Sequence, residues 1–132
     1  MIETIIYGGS FNPPTLAHEA IVDACLDLYP KSEVWVMPSA DREDKSIEIS
    51  EGHRLEMIGR MACGFGTDRV RVCRAELEEL PVPTKTWQTV EYLENNFPNR
   101  HFKYVYGADA YNSMHLWERG EQLQKHLDII LI

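Results

Sequence analysis

The sequence predicts an α/β fold, built on a doubly wound parallel sheet of five strands in the order 3-2-1-4-5 with helices on both faces. Apolar runs of strand length alternate with segments of helical period along all 132 residues. The first run is almost continuously apolar, which is typical of a central parallel strand covered on both faces. A glycine turn joins that run directly to the first helical segment, as strand–turn–helix units of such sheets require.

Local patterns place the individual elements. Strands are predicted over residues 2–7, 34–37, 70–74, 102–106 and 128–132, where apolar residues run together or alternate. The first helix, over residues 16–28, has an apolar stripe consisting of Ala17, Ile21, Ala24, Cys25 and Leu28, and Pro30 follows it. Ser50 is the expected N-cap of a second helix that ends at residues 64–66 and has inner-face residues Leu55, Ile58, Met61 and Ala62.

The second half of the chain continues the alternation. After a rigid turn over residues 80–83, Thr84 or Thr86 is the expected N-cap of a third helix, whose inner face consists of Trp87, Val90, Leu93 and Phe97. A helical region interrupted near Trp117 and Gly120 leads to the last strand. The whole pattern predicts a Rossmann-like sheet, in which ligands bind beyond the carboxyl ends of the strands where the winding reverses. The turns at Gly8 and Gly107 would be neighbours at that point.

Composition limits the class of protein. The length of the chain predicts one domain over residues 1–132. Its 44% hydrophobic and 26% charged residues are typical of a globular domain. The net charge of −8 argues against a nucleic-acid polymer as partner, and no apolar run is long enough to cross a membrane. Cys25, Cys63 and Cys73 lack metal-ligand spacing, so we expect reduced thiols in a cytoplasmic protein. Because the chain stops on the apolar run 129–132, we expect the natural protein to continue into a C-terminal helical part.

Residues 7–18, Tyr-Gly-Gly-Ser-Phe-Asn-Pro-Pro-Thr-Leu-Ala-His, carry the main functional signal. Paired glycines let the backbone approach a ligand closely, and the helix that follows offers unpaired N–H groups and the positive end of its dipole to a phosphate. Thr15 and His18 are three residues apart and therefore share one edge of the first helical turn. The segment is neither a P-loop nor a Gly-x-Gly-x-x-Gly fingerprint.

This segment resembles the first signature of nucleotidyltransferases with an HxGH or TxGH motif, which reads Thr15-Leu16-Ala17-His18 here. Nearly the whole chain is similar to bacterial nicotinate-nucleotide adenylyltransferases. Further matches are residues 35–38, Lys45, His53-Arg54 with Met57, residues 84–90, residues 106–109, and Trp117 with Leu123. The chain departs from that family at Thr15, where His is usual, and at Ala17, where Gly is usual. The family's second phosphate-binding signature, a Ser/Thr-rich and Arg-containing helix start, is absent from the 132 residues.

The resemblance implies an enzyme that transfers AMP from ATP to nicotinate mononucleotide and releases pyrophosphate, in NAD biosynthesis. It implies His18 and Thr15 as catalytic residues and Mg²⁺ as the cofactor. The ion would be bound by ATP, and no metal site formed by protein side chains is expected. The implied ATP-binding residues are Gly8, Gly9, Ser10, Phe11, Thr15, His18, Lys45, Gly107 and Asp109. The implied residues beside the nicotinate are Thr86, Trp87 and Trp117.

Several alternatives stay open at this point. Thr15 is the usual residue in phosphopantetheine adenylyltransferases, and a chain without the second phosphate signature could be a nucleotide-binding module without turnover. Asp109 could be a helix N-cap, a ribose contact or both, and Trp87 and Trp117 could be core residues. Arg54 is expected to anchor its helix. The sequence is compatible with either nicotinate or nicotinamide mononucleotide as the acceptor. It is also compatible with either a homo-oligomer or a monomer.

Overall fold

A computed structural model describes residues 1–40 and 47–132, and within these ranges five parallel strands form one sheet. The strands are β1 (Ile2–Gly9), β2 (Glu33–Pro38), β3 (Val70–Val72), β4 (Arg100–Tyr106) and β5 (Asp128–Leu131). The α-helices are α1 (Leu16–Leu28), α2 (Glu51–Gly64), α3 (Thr86–Asn96), α4 (Ala108–Ser113) and α5 (Gly120–His126). A single π-helical turn covers Ala75–Glu79, and a 3₁₀ turn covers Met114–Leu116.

The strand order is β3-β2-β1-β4-β5, so the predicted Rossmann-like topology is confirmed. The central strand β1 pairs with β2 through Ile6 and Trp35 and with β4 through Ile6 and Tyr104. The chain winds from β1 toward β2 in one direction and from β4 toward β5 in the other. The winding therefore reverses between β1 and β4, whose carboxyl ends lie side by side.

Two apolar clusters cover the two faces of the sheet. One joins β1 and β2 to α1 and α2, with Val22, Val34 and Ile58 at its centre. The other joins the opposite face to α3, the 3₁₀ turn and α5, around Trp35 and Leu93. None of the helices among the described residues has the length and apolar character needed to cross a membrane.

The buried face of α1 differs from the predicted stripe. Val22 and Cys25 are its buried residues, whereas Leu28 is 72% exposed. The helix starts where the sequence predicts, but it is rotated so that Val22, Cys25 and Leu26 follow the i, i+3, i+4 spacing that faces the sheet. The predicted cap of α2 is confirmed, because the Ser50 hydroxyl accepts a hydrogen bond from the His53 backbone N–H at 3.4 Å.

Two predicted caps are wrong. Lys85, not Thr84 or Thr86, is the N-cap of α3, and the Gln88 side-chain oxygen accepts the Lys85 backbone N–H at 2.8 Å. Gly107, not Asp109, is the N-cap of α4. The N-cap of α3 is one residue away from either threonine, and the N-cap of α4 is two residues before Asp109.

Arg54 joins the segments that follow β1 and β2. Its side chain is 1% exposed, and its Nη1 donates to the carbonyl oxygens of Ser10 at 2.8 Å and Ser39 at 2.7 Å. Its Nε donates to the Ile49 carbonyl at 3.2 Å, just before α2. The expected anchoring role thus extends beyond the helix, because a planar guanidinium can satisfy several carbonyl groups at once.

Gly120 lies where a side chain cannot fit. A Cβ added there would lie 1.8 Å from the Met114 carbonyl oxygen, whereas a Cβ at Gly59 in α2 meets no described atom outside its own helix within 4 Å. We expect Gly120→Ala to lower the free energy of unfolding by about 3 kcal/mol, as overpacking against backbone does. Gly59→Ala should raise it by about 0.5–1 kcal/mol. Urea denaturation followed by tryptophan fluorescence measures both, and equal effects would contradict the close approach of the two backbones.

Arg54→Lys tests the link between the two loops. A lysine ammonium cannot span three carbonyl groups, and stranded buried carbonyls cost about 1–3 kcal/mol each, so we expect a loss of about 2–4 kcal/mol in unfolding free energy. Arg60→Lys is the matched control, since Arg60 forms an exposed ion pair with Glu56 and should change stability by less than about 0.5 kcal/mol. Similar denaturation midpoints for the two variants would show that the buried guanidinium is dispensable.

Candidate functional site

The carboxyl end of β1 is a glycine pair with exposed backbone. Gly8 is exposed and Gly9 is half-buried, and an added Cβ would lie 3.4 Å from the Met37 methyl group at Gly8 and 3.4 Å from the Phe11 ring at Gly9. The Ser39 backbone N–H donates to the Gly9 carbonyl at 2.8 Å. The pair therefore stays fixed to β2 while its outer side remains accessible to a ligand.

Phe11 lies beneath this loop. Its backbone has φ +49°, in the left-handed region that bulky residues rarely adopt, and its side chain is 1% exposed. The sequence predicts Phe11 among the nucleotide contacts. The whole residue is enclosed by protein, so neither its ring nor its backbone offers a nucleotide an exposed surface.

Thr15 and His18 meet at the start of α1, as their spacing predicts. Thr15 is the N-cap, and its backbone N–H donates to His18 Nδ1 at 2.8 Å. The Thr15 hydroxyl oxygen lies 3.1 Å from the same nitrogen. Because a backbone N–H can only donate, Nδ1 must be the unprotonated nitrogen, and the neutral ring carries its proton on Nε2.

The His18 ring is half-buried against two aromatic side chains. Its centroid lies 4.8 Å from that of Phe11 and 6.1 Å from that of Tyr7, and both pairs are tilted. Burial lowers the pKa of His18, because the charged imidazolium loses hydration. The ring is thus held as a neutral hydrogen-bond donor beside the first-turn amides of α1, which have no partner within the helix.

A cavity of about 310 Å³ adjoins the N-cap. Its lining consists of Pro14, Thr15, Glu19, Met57, Arg60 and Met61. It lies between the first turn of α1 and the exposed side of α2. The candidate site is therefore open on the side of Thr15.

The second predicted part of the site lies at the end of β4. Gly107, in an extended conformation, caps α4, and Asp109 is exposed in the first turn of that helix. Since β1 and β4 are paired neighbours, with Ile6 opposite Tyr104 as their last pair, the Gly8 turn and the Gly107 turn lie at the same edge of the sheet. These are the two turns that the resemblance assigns to the nucleotide.

The third predicted part joins the start of α3 to the turn before α5. The Trp87 indole N–H donates to the Glu118 carboxylate, and the Arg119 guanidinium lies 3.8 Å from the Trp87 ring centroid. Trp117 is half-buried, with its ring centroid 6.1 Å from that of Tyr106 in an edge-to-face arrangement. Thr86, the first residue of α3, is half-buried beside Trp87.

Sequence reasoning missed the partners of these residues. Glu118 and Arg119 follow Trp117 directly. A cation next to a tryptophan that is predicted to bind a ring could have indicated a cation–π contact in this region. Tyr7 was interpreted as the last residue of a strand, although aromatic residues flanking a glycine pair before a histidine point to a ring cluster. Lys45 lies outside the described residues.

Comparison with known proteins places this chain in a family. A family model described as cytidylyltransferase-like matches residues 6–132. Curated relatives named "Probable nicotinate-nucleotide adenylyltransferase" include those of Salinibacter ruber, 30% identical over 96% of this chain, and Anaeromyxobacter dehalogenans, 32% identical over 98%. The chain spans 64% of the Salinibacter relative and 70% of the Anaeromyxobacter relative.

Solved structures agree with the sequence relatives. The Plasmodium falciparum nicotinic acid mononucleotide adenylyltransferase complexed with NaAD superposes with a TM-score of 0.85 and 26% identity, over 99% of this chain and 64% of that one. The same enzyme complexed with APC gives a TM-score of 0.72 at 22% identity. The glycine turn, the capped histidine and the strand order therefore occur in a chain that belongs to the cytidylyltransferase-like family of nucleotidyltransferases.

Proposed function

We propose that this chain carries the catalytic residues Thr15 and His18 of an adenylyltransferase. The enzyme would move AMP from ATP to nicotinate mononucleotide and release pyrophosphate. One observation carries the proposal. The Thr15 N–H fixes His18 Nδ1 as an acceptor, which leaves a neutral Nε2–H donor beside a helix N-terminus and a glycine turn. Such an arrangement suits an oxygen that gains charge during phosphoryl chemistry.

The reaction needs no protein nucleophile. A phosphate oxygen of the mononucleotide attacks the α-phosphorus of ATP, and the bond from that phosphorus to the bridging oxygen breaks as pyrophosphate leaves. His18 donates from Nε2 to an oxygen at or next to the α-phosphate, and Thr15 orients the neighbouring oxygen. The backbone at Gly8 and Gly9, with Ser10, holds the remaining triphosphate oxygens, so catalysis depends on positioning and charge stabilisation.

Mg²⁺ fits this site as an ion that ATP brings with it. Mg²⁺ prefers phosphate oxygens and water, so the triphosphate and solvent would supply its ligands. When bound, the ion neutralises charge on the leaving pyrophosphate. Lys45, which lies outside the described residues, is proposed as a further phosphate contact.

The rest of the edge would bind the nucleosides. Gly107 and Asp109 would contact the adenylate, with the exposed Asp109 carboxylate accepting from a ribose hydroxyl. Trp117, with Thr86 and Trp87, would receive the pyridine ring of nicotinate mononucleotide. The names of the relatives and the NaAD complex of the Plasmodium enzyme support this substrate. The partners would then be ATP and a mononucleotide in the cytoplasm.

A nucleotide-binding module without turnover is the alternative from another class. Within the enzyme class, Thr15 favours phosphopantetheine as the acceptor. A binding measurement with ATP, made beside the turnover assay, separates a module that binds from an enzyme that transfers.

His18→Ala should lower turnover by about 10²–10³-fold, because it removes one preorganised donor to a charged oxygen. Pyrophosphate release measures the rate, and circular dichroism checks that the fold is kept. His53→Ala, an exposed histidine on α2, is the matched control and should keep the wild-type rate. A His18 variant as fast as this control would refute the mechanism.

A panel of acceptors decides the substrate. We expect pyrophosphate release with ATP, Mg²⁺ and nicotinate mononucleotide to exceed that with nicotinamide mononucleotide or phosphopantetheine by at least about tenfold, the selectivity that one well-placed polar contact provides. Calorimetry with ATP alone measures whether the chain binds ATP and with what affinity. Binding without release for any acceptor would favour the module over the enzyme.

A further inference from the structure

We propose that Phe11 is a positioning residue for His18. Its ring holds the imidazole in the orientation in which Nδ1 faces the Thr15 N–H and Nε2 is left as the donor. The catalytic consequence of this role rests on the proposed function, whereas the structural role does not. Phe11 would act through His18, without contact to substrate.

Ring geometry supports this assignment. The Phe11 and His18 centroids are 4.8 Å apart with planes inclined by 59°, close enough for direct contact between the rings. Phe11 in turn packs edge-to-face on Tyr7, with centroids 5.4 Å apart and planes at 82°. Because Tyr7 belongs to β1, the imidazole rests against a wall anchored in the central strand.

The backbone of Phe11 indicates that the ring is required at this position. A left-handed φ of +49° costs a bulky side chain conformational energy that glycine would avoid. Glycine would fit the turn but would offer no ring to the imidazole. Strained residues of this kind tend to occur at functional sites, where the surrounding structure keeps them in place.

The same ring connects the histidine to the glycine turn. An added Cβ at Gly9 would lie 3.4 Å from the Phe11 ring, so the ring also packs against the backbone proposed to hold phosphate oxygens. On the other side, Arg54 holds the Ser10 carbonyl next to Phe11 at 2.8 Å. Phe11 therefore sets the distance between the two phosphate-binding parts of the site.

Phe11→Leu removes the ring but keeps an apolar side chain. Phe102→Leu is the matched control, because Phe102 is also a buried aromatic residue but packs against Trp35 on the opposite face of the sheet. If Phe11→Leu does not fold, Phe11→Met replaces it, since methionine adapts to irregular space. The readouts are nitrogen-15 NMR of the His18 ring, hydrogen exchange of the Thr15 amide, and kcat and KM for ATP.

We expect Phe11→Leu to average the two His18 nitrogen signals and to speed exchange of the Thr15 amide by at least about tenfold, as expected when a hydrogen bond opens more often. The kcat should fall about 10–100-fold with KM for ATP within about threefold, the effect of a misplaced catalytic group. Phe102→Leu should leave all these readouts close to wild type even where it lowers stability.

Unchanged His18 signals in folded Phe11→Leu would overturn the proposal, as would a loss of kcat no larger than that of Phe102→Leu. If the wild-type protein itself releases no pyrophosphate, the proposed function fails. The NMR comparison then decides the role of Phe11 by itself.

Discussion

The hydrogen bond from the Thr15 N–H to His18 Nδ1 constrains the whole candidate site. It satisfies one of the backbone donors that every helix leaves unpaired at its start, and it also selects the protonated nitrogen of the imidazole. The bond that begins α1 is thus the bond that orients the proposed donor. Any change that unwinds the first turn of α1 also turns the ring, so local helix stability and site geometry cannot be separated here.

A ring oriented by a helix cap is useful only if the neighbouring turn stays at a fixed distance. Three contacts provide this: the Ser39 N–H on the Gly9 carbonyl, the Arg54 guanidinium on the Ser10 carbonyl, and the Phe11 ring against Gly9. Arg54 belongs to α2 and Ser39 directly follows β2, whereas Phe11 lies in the loop itself and is fixed there by the burial of its ring. A loop so tied needs little reorganisation when a triphosphate arrives, which is the condition for electrostatic catalysis by fixed donors.

The sequence was informative where structure depends on neighbours along the chain. Strand order, the bounds of α1 and the meeting of Thr15 with His18 follow from periodicity, glycine placement and a three-residue spacing. The links made by Arg54 and by Glu118 with Trp87 join residues tens of positions apart, and no local pattern specifies them. The rotation of α1 was also missed, because alanine at two stripe positions is compatible with either a buried or an exposed face.

Net charge raises a physical question, since a protein of charge −8 would have to accept a triphosphate. Long-range electrostatic attraction cannot speed this encounter, because both partners are negatively charged. Salt in any case screens the interaction between their charges beyond about 10 Å. Apart from Lys45, the proposed site would rely on short-range groups that carry no net charge, namely backbone amides, a helix N-terminus and a neutral imidazole. Such donors favour an anion only when it is within hydrogen-bond distance and correctly placed, so the affinity they provide depends strongly on geometry. Burial against Phe11 and Tyr7 lowers the pKa of His18 and so favours the neutral ring. Under the proposed function, a neutral Nε2–H would discriminate by position, whereas an imidazolium would attract phosphate from any direction.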